Sequence, residues 1–157
     1  MKLRLIFSIS IFILTLCSVA AWAQTGFDRA AYYAAFAKSE AAGIEMQLAK
    51  VALLNATDRE AFEGALLMRK AGLQSSVVQK LSFFKQGGKA LEAAIKANPQ
   101  NVEYRFLRLM IQENAPKIVG YNDNLKEDSE LVKKNIKLLP VATQKAVQNY
   151  AKVSKYL

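Results

Sequence analysis

The stretch SSVVQKLSFFKQGGKALEAAIKANPQN, residues 75–101, decides the fold of this chain. Ser75 or Ser76 stands where a helix N-cap belongs, because a serine oxygen accepts the amides that a first turn leaves unpaired. Beyond it Val77, Leu81, Phe84, Gly88, Leu91 and Ile95 recur at alternating intervals of four and three. That period lays one continuous apolar stripe along a helix reaching Ala97. Asn98-Pro99-Gln100-Asn101 then breaks the helix and supplies the next cap. Gly87-Gly88 in the middle costs roughly 2 kcal/mol relative to two alanines. Such a cost is acceptable where another helix crosses closely, or where the helix kinks.

Working outward, the same signals repeat in both directions. Asn101 caps a very apolar helix from Val102 to about Asn114, which Pro116 ends. Asn124 opens a helix to Leu139, with Leu125, Leu131, Ile136 and Leu139 as core contacts. Pro140 starts a last helix running to the C-terminus, with Val147, Tyr150, Ala151 and Leu157 along one side. Toward the N-terminus, Asp28 caps a helix carrying Arg29, Tyr32, Tyr33 and Phe36. It either breaks near Ser39 or continues through Ile44, Leu48, Val51 and Leu54. Thr57 and Glu60 form a capping box for a helix with Phe62, Leu66 and Leu67, closing on Arg69-Lys70 before Gly72. The three prolines, at 99, 116 and 140, all fall between these patterns, and strand-like alternation is missing. The chain therefore reads as all-α, an array of six or seven antiparallel helices built from helical hairpins.

The N-terminus carries an address. Lys2 and Arg4 precede an apolar run from Leu5 to Val19, and Ala21-Trp22-Ala23 closes it. A basic start, an apolar middle and an A-x-A site make a signal peptide of residues 1–23, cleaved after Ala23. An uncleaved anchor is the competing reading, since the run from Leu5 to Phe27 has no charge. A lipoprotein signal at Cys17 is disfavoured, because Leu16 sits where a small residue is wanted. Residues 24–157 then form one all-α domain, without cysteine or histidine, exported to the periplasm or cell surface of a bacterium. Disulfides being unavailable, helix packing has to hold it together.

The whole chain carries 22 Lys and Arg against 13 Asp and Glu, a net charge of +9. Loss of Lys2 and Arg4 leaves a strongly basic remainder. Six lysines (Lys133, Lys134, Lys137, Lys145, Lys152 and Lys155) lie between Leu131 and Leu157 with no acid among them. They suit a solvated basic surface and complement helix C-termini. Nucleic acid is not an expected partner for an exported chain without interleaved aromatics. Any membrane contact is peripheral unless the first segment stays as an anchor, since alanines dominate the apolar side of the basic tail.

Candidate binding residues converge on one helix. Arg105, Arg108 and Gln112, at i, i+3 and i+7, share a face surrounded by Phe106, Leu107, Leu109 and Met110. A guanidinium has five donors and needs acceptors if buried. The face is either an anion site or a set of interhelix salt bridges to Glu92, Asp123, Glu127, Asp128 or Glu130. Catalysis has little to work with: without histidine or a retained cysteine, the common zinc sets and nucleophile–histidine pairs are missing. The carboxylate pairs Glu60/Glu63 and Glu127/Glu130 read as capping and surface groups. No metal, cofactor or enzymatic activity is expected.

Two resemblances add to this. Gly87 to Asn101, with small residues at Gly87 and Ala94, Leu91 between them and Pro99 at the turn, looks like the second helix of a tetratricopeptide repeat. No second copy follows at that period. The segments Gly64-Ala65, Lys70-Ala71, Lys80 to Lys85, Asn98 to Arg108, Gln112 to Pro116, Gly120-Tyr121 and Asp128 resemble a group of small, uncharacterised exported helical proteins of Bacteroidota. That resemblance implies an envelope protein and brings no activity with it. The leading expectation is a non-enzymatic interaction module whose partner is another envelope protein. The alternative is a binder of a small anionic ligand or acidic envelope polymer through Arg105, Arg108 and the C-terminal lysines.

Overall fold

The computed structural model describes residues 27–157. The segment read as a signal peptide, its cleavage point and Cys17 lie outside the described residues. Seven α-helices and two short 3-10 turns follow one another, with no strand among the described residues. The all-α reading holds.

Local chemistry explains most of the boundaries. Asp28 caps α1 (Arg29–Lys38) by accepting the Ala31 amide at 3.0 Å. Ser39 then takes a left-handed conformation, φ 57°, and ends the helix, so α2 (Ala41–Val51) is a separate element. The cap of α3 (Ala56–Ala71) is Asn55, which accepts the Asp58 amide at 3.0 Å. The expected capping box at Thr57 is thereby corrected: asparagine two residues earlier satisfies the first turn, and Thr57 becomes helical. Ser76 caps α4 (Val77–Ala97), and Asn101 caps α5 (Val102–Asn114) through the amides of Glu103 and Tyr104. A 3-10 turn at Lys117–Val119 leads to α6 (Leu125–Asn135). A second, Ile136–Leu138, shortens the helix expected to reach Leu139. Pro140 precedes α7 (Val141–Ala151).

The glycines explain how α3 and α4 pair. A Cβ on Gly64 would stand 2.7 Å from the Gly87 carbonyl oxygen and 2.8 Å from the Leu91 nitrogen. A Cβ on Gly87 would strike the Gly64 carbonyl, and Met68 Cγ at 2.7 Å. Backbone meets backbone at this crossing, the circumstance that makes a glycine inside α4 tolerable. The glycine that requires it is Gly87; a Cβ on Gly88 would meet only Met68 Cε at 3.6 Å, an ordinary contact.

The crossing also corrects the stripe expected along α4. The buried positions are Gly87, Leu91, Ala94 and Ile95, whereas Val77 and Leu81 are exposed. At 1.5 Å per residue α4 is about 31 Å long and α5 about 20 Å. A third helix of that length covers only the later turns of α4, so the first two turns lie beyond it. In α6 the expected contacts Leu125, Leu131 and Ile136 are only partly buried, and Asp128, Ser129 and Val132 occupy the core face. Two arginines on α5 draw that face inward, as shown below.

One hydrophobic cluster joins all seven helices, from Tyr32 and Phe36 on α1 to Val147 on α7. Its N-terminal end is aromatic: the Phe27 and Tyr32 rings pack on Phe62 at centroid distances of 4.7 and 5.1 Å, and the Tyr32 hydroxyl donates to the Phe62 carbonyl. Among the described residues no helix is long and apolar enough to cross a membrane.

The glycine crossing generates a paired prediction for chemical denaturation. Gly64→Ala and Gly87→Ala each destabilise by about 1–3 kcal/mol, since backbone has to move. Gly88→Ala is neutral or stabilises by up to about 1 kcal/mol through helix propensity. Equal effects at Gly87 and Gly88 would contradict the close crossing.

Candidate functional site

The fold turns on α5, where every residue from Glu103 to Gln112 is buried. Three charges therefore sit inside the core, and each has partners. Arg108 donates from Nε and Nη2 to the two oxygens of Asp128, at 2.7 and 2.9 Å, and from Nη1 to Glu92 at 2.8 Å. Arg105 pairs with Glu127 through Nη2, and its Nε lies 2.6 Å from Asp128 Oδ1 without hydrogen-bond alignment. Tyr121 closes the far side by donating to Glu92. Gln112 exchanges hydrogen bonds with Asn124, side chain to side chain and carbonyl to backbone amide, at 3.2 Å each.

Arg105, Arg108 and Gln112 are thus brought together, as the spacing implied, but the two arginines point to acids of neighbouring helices. The two arginines form interhelix salt bridges that bind α4 and α6 to α5, and Gln112 holds the start of α6 through Asn124. Burial works against the charge on Arg108, yet the bonds and charges of Asp128 and Glu92 outweigh it and raise its pKa. The exposed Glu127 carboxyl is lowered, first by the hydrogen bond from Arg105.

The third charge, Glu103, escaped sequence reasoning. Its carboxylate accepts Arg29 Nε at 3.0 Å, the Tyr33 hydroxyl at 3.1 Å and the Thr143 hydroxyl at 2.6 Å. It ties α1 and α7 to α5 at the opposite side from Asp128. A lone acid in the first turn of an otherwise apolar helix was the available signal, and it reads equally as a dipole-favoured surface residue.

The six C-terminal lysines are all exposed. Glu113 organises the tail instead, accepting the Tyr150 and Ser154 hydroxyls and the Lys155 amide. A hollow of about 460 Å³ lies there, between Gln112, Tyr121 and Tyr156. Among the described residues no three acids, cysteines or histidines gather as a metal would require.

Two surface features remain. The first is a cleft of about 540 Å³ between α1 and α7, floored by Met110 and Asn114 of α5 and by Arg69 of α3. The second is the exposed start of α4 and the turn before it. There Leu73, Val77, Val78 and Leu81 are 39%, 68%, 77% and 45% exposed. Lys80 and Lys85 lie exposed beside them, and no acid occurs between Lys70 and Leu91.

Comparison with protein-family models, curated proteins and solved structures finds no match for the chain. The likenesses to exported Bacteroidota proteins and to tetratricopeptide helices gain no support there.

Two predictions come from the buried charges. Arg108→Met removes both hydrogen bonds to buried Asp128, leaving it only the Arg105 contact, and costs about 3–5 kcal/mol. Glu127→Gln, at an exposed carboxyl that still offers Arg105 an acceptor, costs about 1 kcal/mol. Adding Asp128→Leu to Arg108→Met recovers part of the loss in urea melts, because Arg105 keeps Glu127; no recovery would contradict an uncompensated Asp128 as the source of the cost. The second concerns alkali. Burial first, then neighbouring acids, raises the pKa of Tyr32, Tyr33, Tyr104, Tyr121 and Tyr150. Folding favours their neutral form, so this stability is fully present below the unfolded tyrosine value of about 10 and is lost as pH rises above it. Phenolate absorbance and loss of helical circular dichroism are therefore expected in one joint transition above that pH.

Proposed function

We propose that this chain is a non-enzymatic helical protein of the bacterial envelope, exported by residues 1–23, that works by docking another protein. The observation that carries the reading is the apolar end of the α3–α4 hairpin. Leu73, Val77, Val78 and Leu81 present an apolar patch on a helix otherwise engaged in the core, where scattered single residues would need no explanation. The lysine surround selects the occupant: an apolar surface with an acidic rim. A second copy would set lysines against lysines, which opposes self-association. The export signal and the resemblance to exported Bacteroidota proteins support the location. The absence of histidine from the chain, with Cys17 inside the export segment, supports a binding rather than a catalytic role.

Site-directed photocrosslinking in cells producing the full chain tests this. A crosslinker at position 78 is expected to give a discrete protein adduct that one at position 133 does not. Val77→Asp abolishes the adduct while changing stability by no more than about 0.5 kcal/mol, as for an ordinary surface site. Adducts only to lipid, only to a second copy, or equal at both positions would overturn the proposal.

A further inference from the structure

The cleft between α1 and α7 has a composition that selects a ligand, independently of the docking face. Its long walls are mainly apolar: Ala30, Ala34 and Ala37 with Tyr33 and Phe36 on one side, Ala142 and Ala146 with Asn149 and Tyr150 on the other. Its volume, about 540 Å³, lies within the usual range for small-molecule sites. Two cations, Arg69 and Lys145, line it, and no carboxylate does.

Arg69 is the informative residue. It comes from the last turn of α3, donates from Nε to the Phe36 carbonyl at 3.1 Å, and holds its guanidinium 5.5 Å over the Phe36 ring. Its other arginine counterparts near the core, Arg29, Arg105 and Arg108, each meet a carboxylate. Among the described residues none pairs with Arg69, and burial lowers its pKa. The fixed Nε bond orients the guanidinium fork, while its remaining donors lack protein acceptors among the described residues. A partly desolvated, oriented cation lining a mainly apolar trough is complementary to an anion carrying an apolar body.

We infer that the α1–α7 cleft binds a medium-chain acyl carboxylate, its carboxylate on Arg69 and its chain along the alanine walls. The trough suits a narrow chain: the α1 wall from Ala30 to Ala37 is about 10 Å long, and its alanines alternate with the rings of Tyr33 and Phe36. Lys145, exposed on α7, adds a screened attraction and not a fixed contact.

Calorimetric titration of the purified full chain with decanoate, below its micelle concentration, tests this against the neutral comparators decanol and decanamide. Decanoate is expected to bind at one site, at least about tenfold more tightly than either comparator, as a charge-assisted hydrogen bond implies. Arg69→Gln removes that preference, and Arg69→Lys restores part of it. Ala34→Leu, at an exposed wall position, fills the trough and weakens decanoate and decanol together while leaving the melting temperature near that of the unmodified protein. Equal binding of the neutral comparators, decanoate binding indifferent to Ala34→Leu, or no binding of any probe would each overturn the assignment. Should Arg69→Gln fail to fold, the comparator ratio in the unmodified protein and Ala34→Leu still decide it.

Discussion

A helix buried on every side cannot carry charge unless its neighbours answer each one, and α5 carries three. Glu103, Arg105 and Arg108 sit among Phe106, Leu107 and Leu109 with little access to the bulk water that would solvate them. The rest of the domain is arranged to meet that demand. Glu92 of α4 and Asp128 of α6 answer Arg108, Glu127 and Asp128 answer Arg105, and Arg29, Tyr33 and Thr143 answer Glu103 from α1 and α7. Such pairs contribute little net stability over apolar substitutes, because desolvation consumes most of the Coulombic gain. What they supply here is discrimination. A packing that shifted α6 by one turn would bury Asp128 and Arg105 without partners and leave Arg108 only Glu92 of α4, so such alternatives are penalised.

The glycine crossing of α3 and α4 works on the same principle by steric means. Gly64 and Gly87 permit an approach that any side chain at either position would forbid, which sets both the depth and the register of the hairpin. With the hairpin set by shape and α5 set by charge, the two ends of the bundle differ. Near Leu91 and Ile95 a third helix covers α4; near Val77 nothing among the described residues does, and an apolar patch is left facing outward. On the opposite side, the small residues of α1 and α7 keep those helices from filling the space between them, and a cleft results. Both proposed binding surfaces are thus places where the packing solution leaves something uncovered.

How legible was this in advance? Caps that act within one turn were readable: Asp28, Ser76 and Asn101 each accept an amide two or three residues ahead. Where two candidates compete, local sequence is ambiguous, and Asn55 displaced Thr57. The cluster Arg105, Arg108 and Gln112 was readable as one face because the helical period is fixed, and its acidic partners lay near enough in sequence to name. Glu103 was not, since its partners Arg29 and Thr143 lie 74 and 40 residues away. Arg69 was read as complementing a helix C-terminus, which gave no hint that it would floor a cleft made by α1 and α7.

Periodicity, capping chemistry and proline positions by themselves determined the helical class, nearly every helix start and the shared face of the α5 arginines, because these depend on contacts within a few residues. Which glycine of the Gly87-Gly88 pair touches backbone, which half of α4 stays exposed, and whether the arginines meet acids or solvent depended on helix placement. Those are properties of distance between remote segments, and one-dimensional spacing does not encode them. The same holds for the cleft: the alanines of its walls carry no chemical signature, and only the fold sets them opposite one another beside a guanidinium without a carboxylate partner among the described residues.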